Sequence, residues 1–248
     1  MSILPVSPSE CFMNLPLNTL ANVQDPIAHA RYNMIEQQIR PWNVLDRGVL
    51  DALAAVHREQ FVPPGCQGMA FADVELPLTE PVEEATRLGQ VMLAPRVEAR
   101  MLQDLELRPT DKVLEIGAGS GHMAALLGHL AEHVVTLEIV PGLVEFAREN
   151  LRGAGVQNVD VRQADGALDL IPDGPFDVVV LSGSVAEVPQ RLLALLRDGG
   201  RLGAIVGVEP MMRMTVMRKV GNGFETSQPW DVVVPRLRNF PEPSPFRF

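Results

Sequence analysis

The stretch Lys112-Val-Leu-Glu-Ile-Gly-Ala-Gly-Ser-Gly-His122 decides the fold of this 248-residue chain. Its apolar residues are typical of a buried parallel strand, and the strand gives way to glycines at 117, 119 and 121. The segment 122–130 that follows predicts a helix. A strand, a glycine turn and a helix in this order let a ligand approach the backbone at the carboxyl end of a strand.

Four further segments predict strands, and helical segments lie between several of them. The four are residues 133–138, 159–166, 176–181 and 199–206. Strands that alternate with helices imply right-handed crossovers, so we expect a doubly wound α/β fold with one mostly parallel sheet. Residues 211–219 and 224–235 then predict an antiparallel C-terminal hairpin that turns at Gly221-Asn-Gly223.

Acidic residues end two of the predicted strands. Glu138 ends the second strand, where a carboxylate can accept both ribose hydroxyls of a nucleoside; a solvated surface acid is the alternative interpretation. Asp165-Gly166 ends the third strand, in a position to meet an adenine amino group. The sequence therefore predicts a nucleoside-binding α/β domain.

The spacing of the glycines separates two classes of nucleoside-binding domain. A dinucleotide fingerprint has Gly-x-Gly-x-x-Gly, whereas here the third glycine comes one residue early and His122 takes the fingerprint's glycine position. Gly-x-Gly-x-Gly after an acid resembles the S-adenosylmethionine (SAM) methyltransferases. The predicted cofactor-binding residues are Glu115, Gly117, Ala118, Gly119, Gly121, Glu138, Ile139, Asp165 and Gly166.

The rest of the chain divides around this core. Residues 1–25 are predicted to be a mobile segment, and 26–238 a single domain. Within it, 26–88 form an N-terminal helical cap and 89–238 the nucleotide-binding core, while 239–248 form an extended or disordered Pro-containing tail. Helices are expected at 28–40, 46–57 and 96–105, and an acidic loop at 79–88.

The charge and composition of the chain limit the kinds of partner that it can bind. The net charge of −10 argues against a stable nucleic-acid complex, which needs a basic surface. The chain has neither an apolar run of about 18 residues nor a signal-peptide pattern, so we expect a cytoplasmic protein without a membrane span. Cys11 and Cys66 lack metal-ligand spacing, and no metal site is predicted. The sequence does not indicate the oligomeric state.

From residue 28 to 237 the chain resembles the protein-L-isoaspartate O-methyltransferase family. The resemblance rests on several motifs in order, namely Arg58-Glu-Gln-Phe-Val-Pro, the glycine turn with its strand, Leu137-Glu-Ile-Val-Pro, Gly199-Gly-Arg-Leu and Val234-Pro235. It implies that SAM donates a methyl group to the carboxylate of isoaspartyl residues, a repair reaction on a protein or peptide substrate. Arg236 stands where the family's closing motif has leucine.

The substrate loop, residues 89–95, departs from the family pattern. Leu93 stands where the family has a serine and Val91 where it has a threonine, so no catalytic residue is carried over. Losing a hydrogen bond to a charged group costs about 1.5–3 kcal/mol, which predicts isoaspartyl activity at least about tenfold lower than with the hydroxyls restored. Two alternatives follow: a less anionic acceptor, such as a small molecule or nucleobase, or a non-catalytic SAM-binding protein.

The reaction limits what else the pocket requires. A carboxylate is already ionised near neutral pH, so methyl transfer needs alignment rather than a general base. His122 is a candidate for the pocket around the methyl group; the alternative is a histidine packed in the core. Ser182 and Ser184 lie at the edge of the sheet where substrates are expected to bind; the alternative for both is a role in capping the loop. The predicted substrate-pocket residues are Val91, Met92, Leu93, His122, Ser182 and Ser184.

Overall fold

The computed structural model describes residues 25–242, built around one large sheet. The predicted mobile segment lies outside the described residues except for Asp25, and so does residue 243 onward of the predicted tail. The helices are α1 (Pro26–Asn33), α2 (Arg47–Ala55), α3 (Val82–Arg87), α4 (Pro95–Leu105), α5 (His122–Leu130), α6 (Pro141–Gly153) and α7 (Gln190–Leu193). The strands are β1 (Leu76–Pro77), β2 (Val91–Met92), β3 (Lys112–Ile116), β4 (His133–Glu138), β5 (Val159–Gln163), β6 (Phe176–Val185), β7 (Leu196–Val208), β8 (Met211–Val220) and β9 (Gly223–Ser227).

Seven strands form the main sheet in the order β5-β4-β3-β6-β7-β8-β9. The first five in that order pair in parallel, and β8 and β9 add an antiparallel edge. The chain leaves β3 toward β4 on one side and returns to β6 on the other, which creates a switch point where ligands bind in such sheets. The predicted doubly wound, mostly parallel fold with its antiparallel C-terminal hairpin is therefore confirmed.

The N-terminal helices pack against the core rather than away from it. α1 continues into a π-helical segment, Met34–Ile39, and a 3-10 turn, Arg40–Trp42, where Pro41 ends the helical run predicted for 28–40. Asp46 begins α2 as predicted, accepting a hydrogen bond from Val49 N at 2.9 Å. Buried residues of these helices share one apolar cluster with residues of α4, α5 and the sheet.

Several predicted boundaries are wrong: the third strand ends at Gln163 instead of 166, the fourth continues to Val185 instead of ending at 181, and three more differ as follows. The acidic segment 79–88 contains α3, because Glu83 and Glu84 favour the amino end of a helix and its Ala85 is buried. The second hairpin strand ends at Ser227 instead of continuing to 235, since Pro229 cannot donate a ladder hydrogen bond. The strand predicted at 199–206 begins earlier, at Leu196, and ends at Val208.

Candidate active site

A cleft opens at the carboxyl end of the parallel strands, beside the glycine turn. Gly117, Gly119 and Gly121 have φ values of 97°, 52° and 83°, a region that side chains disfavour. A Cβ on Gly117 would lie 3.0 Å from Leu237 Cδ2, so glycine keeps this wall open. The cleft is lined by Leu78, Leu88, Gly89, Gln90, Val91, Ile116, Gly117, Gly119, Leu137, Glu138, Ile139, Val140, Leu143, Ala164, Asp165, Gly166, Ser182, Arg236, Leu237, Arg238 and Phe240.

Glu138 ends β4 and faces the cleft. Its Oε2 accepts a hydrogen bond from Gly119 N at 2.9 Å, and its Oε1 accepts one from Val140 N at 2.9 Å. These bonds hold the carboxylate in one orientation and leave a lone pair on each oxygen for a further donor. Glu138 can therefore accept two hydroxyl hydrogen bonds from a ribose.

Asp165 and Gly166 follow β5 and also line the cleft. Asp165 Oδ1 accepts from Ala167 N at 2.8 Å, and its Oδ2 accepts from Asn239 Nδ2 at 2.6 Å. A Cβ on Gly166 would lie 2.3 Å from Ile116 Cγ2, so only glycine fits beside the strand. The structure thus brings together two acids and an open glycine backbone, a combination that fits a nucleoside.

Glu115, Ala118 and Gly121 were predicted to bind the cofactor, but they are not among the residues that line the cleft. Glu115 is fully buried and accepts hydrogen bonds from Thr136 Oγ1 and Ser182 Oγ, each at 2.6 Å. Burial raises the pKa of Glu115 to about 7. Glu115 therefore fixes the hydroxyl of Ser182, which itself lines the cleft.

Only one of the three predicted pocket residues in the substrate loop lines the cleft. Val91 does so, whereas Met92 and Leu93 are buried in the apolar core. Met92 pairs with Leu76 in the small β1–β2 sheet, and Leu93 turns inward where its carbonyl accepts from Arg58. The prediction that Met92 and Leu93 line the substrate pocket is therefore corrected, because both side chains belong to the buried core.

His122 also leaves the predicted pocket and joins a buried ionic network with Arg58 and Glu98. Arg58 Nη1 donates to Glu98 Oε2 at 2.6 Å, and His122 Nδ1 lies 2.9 Å from the same oxygen. Burial lowers the pKa of His122, which favours a neutral ring that donates Nδ1–H to Glu98. Burial also works to raise the pKa of Glu98, but the adjacent His122 and Arg58 outweigh it and hold that pKa below its ordinary value.

This network connects the substrate loop to its neighbours. Arg58 Nη2 donates to the Leu93 carbonyl at 2.7 Å, and Nε donates to the Ala70 carbonyl at 3.1 Å. His122 is the first residue of α5, directly after the glycine turn. Arg58 therefore fixes the loop relative to the turn. His122 is therefore a histidine packed in the core, as the alternative interpretation has it, and does not line the cleft.

Ser184 has a different role from the one predicted. It is fully buried, and its hydroxyl lies 3.0 Å from the Val234 carbonyl as a donor. Its backbone N donates to the Pro235 carbonyl at 2.8 Å, and its carbonyl accepts from Leu237 N at 2.9 Å. Ser184 thus anchors residues 234–240, the C-terminal strap, beside the cleft.

Sequence reasoning missed the strap as a wall of the cleft. Arg236, Leu237, Arg238 and Phe240 all line it, although Phe240 was assigned to an extended or disordered tail. The replacement of leucine by Arg236 was visible in the sequence, but its position beside the cleft depends on long-range pairing with Ser184. Gln90 was also missed; it lines the cleft and accepts from Thr79 Oγ1 at 2.7 Å.

Neither a metal cluster nor a membrane-spanning helix occurs in the part of the chain that the structure describes. Among residues 25–242, no group of three or more His, Cys, Asp and Glu side chains is arranged to hold a metal ion. No helix in the same range is long and apolar enough to cross a membrane.

Together the sheet, its switch point and the acid-lined cleft define a methyltransferase of the SAM-dependent α/β class. The family model described as Protein-L-isoaspartate(D-aspartate) O-methyltransferase matches residues 29–234. A protein-L-isoaspartate O-methyltransferase of Methanoculleus marisnigri is 41% identical over 183 residues, which cover 74% of this chain and 80% of that protein. A protein of the same name from Aeropyrum pernix is 37% identical over 203 residues, which cover 80% of this chain and 75% of that protein. The chain belongs to the protein-L-isoaspartate O-methyltransferase family.

Solved structures agree on the fold. A protein-L-isoaspartate O-methyltransferase superposes with a TM-score of 0.71 at 22% identity, covering 83% of this chain and 65% of the other. A Plasmodium falciparum protein of that description, solved in complex with S-adenosyl-L-homocysteine, gives a TM-score of 0.71 at 19% identity, covering 86% and 99%. At these identities the likeness shows the shared fold alone.

Proposed function

We propose that this chain transfers the methyl group of SAM to the carboxylate of L-isoaspartyl residues in proteins, a repair reaction in the cytoplasm. The observation that carries the proposal is the family match over residues 29–234, which spans most of the residues that line the cleft. Protein or peptide acceptors are part of the same proposal. The relatives whose names state this activity align over most of this chain.

The residues that would hold the cofactor have separate tasks. Glu138 would bind the ribose hydroxyls and Asp165 the adenine amino group, while Gly117 and Gly119 let the backbone approach. The bound cofactor supplies an electrophilic methyl group on a sulfonium. Half-buried and buried apolar side chains of the cleft exclude water from the reacting atoms.

The acceptor needs little chemical activation. An isoaspartyl carboxylate is ionised near pH 7, so one of its oxygens forms the new O–CH3 bond while the S–CH3 bond breaks, and no proton moves. The chain's contribution is to align the carboxylate and to stabilise its charge. Ser182 also lines this edge of the cleft, but its hydroxyl proton is donated to Glu115, so it offers only an acceptor there.

One observation favours a second candidate, methyl transfer to a less anionic acceptor. Val91 places an apolar side chain in the cleft where the family has a threonine, and the Leu93 position supplies no hydroxyl. Such an acceptor would be a small molecule or a nucleobase whose nucleophile carries no full negative charge.

The stability of the product to mild base distinguishes the two candidates. Carboxyl methyl esters hydrolyse in mild base and release methanol, whereas methyl groups on nitrogen or carbon stay attached. The purified chain, labelled SAM and an aged protein extract should give base-labile label in the protein fraction. Glu138→Ala is the matched variant and should lose one to a few kcal/mol of cofactor binding. Base-stable label, or label confined to small molecules, would contradict isoaspartyl methylation.

A further inference from the structure

The C-terminal strap is held in a fixed position beside the substrate loop. Ser184 and Arg236 form a parallel bridge, through the hydrogen bonds that Ser184 makes with Pro235 and Leu237. A Cβ on Gly89 would lie 3.1 Å from Pro235 Cβ, so strap and loop are in close contact. The position of Arg236 is therefore set by buried backbone pairing and not by an exposed loop.

Arg236 lines the cleft with an incompletely paired guanidinium. Its Nη2 donates to the Gly207 carbonyl at 2.9 Å, and its Nε lies 2.8 Å from Glu242 Oε1. Its Nη1 is buried and has no hydrogen-bond partner among the described residues. A buried charged donor without a partner is costly, and a carboxylate oxygen is the acceptor that suits it best.

Arg236 and Arg238 are the two basic residues among the described residues that line the cleft. Val91 lines it without a hydroxyl, and the Leu93 side chain is buried away from it. The two acids of the cleft, Glu138 and Asp165, belong to the nucleoside side. Arg238 is exposed, also lines the cleft, and makes no ion pair within residues 25–242. The arginines would offset the charge of an anionic acceptor where the loop offers nothing.

We propose that Arg236 binds the carboxylate of the methyl acceptor, with Arg238 adding charge at the entrance, in place of the hydroxyls that the substrate loop lacks. This proposal rests on the proposed function. Nη1 is buried without a partner, so a small shift of the Arg236 side chain toward the cleft would let it bind one carboxylate oxygen and leave the other free to attack the methyl group. Methylation converts the anion into a neutral ester, which weakens the ion pair and favours product release.

Glu242 is a carboxylate already paired with this guanidinium, through Nε rather than Nη1. Its side chain is 55% exposed, so its pairing with Arg236 is weak and an incoming carboxylate can share or displace it. Removing its charge by Glu242→Gln should lower the KM for an anionic acceptor by up to about fivefold. A site that does not use Arg236 predicts no change.

The test is a set of kinetic measurements on an isoaspartyl peptide at saturating SAM. Arg236→Leu restores the family's residue and should raise KM about ten- to hundredfold. Arg236→Lys should recover part of the affinity, because it keeps the charge without the fork geometry. Arg152→Leu, on an exposed arginine of α6, is the matched control and should leave KM within about twofold.

Binding of S-adenosyl-L-homocysteine separates recognition from a displaced strap. Its dissociation constant, measured by calorimetry, should be the same in the wild type and in Arg236→Leu. An unchanged KM in Arg236→Leu would overturn the proposal, and so would a raised KM accompanied by equally weakened S-adenosyl-L-homocysteine binding.

Peptide binding to the S-adenosyl-L-homocysteine complex separates this proposal from the proposed function. Binding that depends on Arg236 without turnover supports the carboxylate site and refutes isoaspartyl methylation. Turnover with peptide binding that Arg236→Leu leaves unaltered refutes the carboxylate site and keeps the activity.

Discussion

Replacing Glu98 by glutamine should destabilise this protein strongly, although Glu98 lies outside the cleft. Its carboxylate pairs with Arg58 at 2.6 Å and with His122 at 2.9 Å, and the Arg58 and Glu98 side chains are 1% and 4% exposed. Removing one partner of such a pair leaves an uncompensated buried charge, which costs about 3–5 kcal/mol. For a domain of this size each kcal/mol corresponds to about 2–4 °C, so Tm should fall by about 6–20 °C.

Urea unfolding at pH 7.5, followed by far-ultraviolet circular dichroism, measures this loss. Glu84→Gln is the matched control, because its pair with Arg87 is exposed at 53% and 70% and should contribute less than about 1 kcal/mol. If Glu98→Gln cost no more than Glu84→Gln, the guanidinium of Arg58 would be stabilised by the Leu93 and Ala70 carbonyls alone. The reasoning about the network would then be refuted.

Three further changes test individual contacts. Leu93→Ser should lower the free energy of unfolding in urea by about 2–5 kcal/mol without raising isoaspartyl turnover, because the Leu93 side chain is buried. Val91→Thr, in the same loop, should lower it by less than about 1 kcal/mol. A stable and more active Leu93→Ser would contradict the burial of Leu93. The pKa of Glu115 is raised to about 7, so its contribution to the free energy of unfolding is full below its ordinary pKa and is lost as pH rises toward 7. Between pH 4.5 and 8 the free energy of unfolding of Glu115→Gln should therefore rise by about 3 kcal/mol relative to that of the wild type. Parallel stability curves for the two proteins would disprove this. Gly166→Ala should lower the free energy of unfolding by about 1–3 kcal/mol and weaken S-adenosyl-L-homocysteine binding in calorimetry, because the new Cβ would lie 2.3 Å from Ile116. Unaltered stability and affinity would argue against that contact.

Local sequence signals were enough for the nucleotide-binding part of the fold. The strand before Gly117, the acid at Glu138 and the Asp165-Gly166 pair each combine an apolar run with a residue that suits the end of a strand. The parallel sheet follows from their order along the chain. Glu138, Asp165, Gly117 and Gly119 could accordingly be assigned to one site from the sequence, and all four line the cleft.

Contacts between distant segments were not visible in the same way. Arg58 and Glu98 form a buried ion pair although they are 40 positions apart in the sequence, and no periodic sequence pattern connects the two positions. The strap lies beside the cleft through hydrogen bonds between Ser184 and residues 234, 235 and 237, a pairing across some fifty positions that no local pattern indicates. The resemblance to the family placed Leu93 at a substrate-contacting position, but the direction of its side chain depends on packing around the Arg58 guanidinium.

Methyl transfer to an isoaspartyl peptide, beside its aspartyl counterpart, tests the central claim most directly. Label from SAM should enter the isoaspartyl peptide and be released by mild base as methanol, while the aspartyl peptide should stay unlabelled. Labelling of neither peptide by a chain that binds S-adenosyl-L-homocysteine in calorimetry would contradict isoaspartyl methylation. Equal labelling of both would show that the cleft does not distinguish the isoaspartyl linkage.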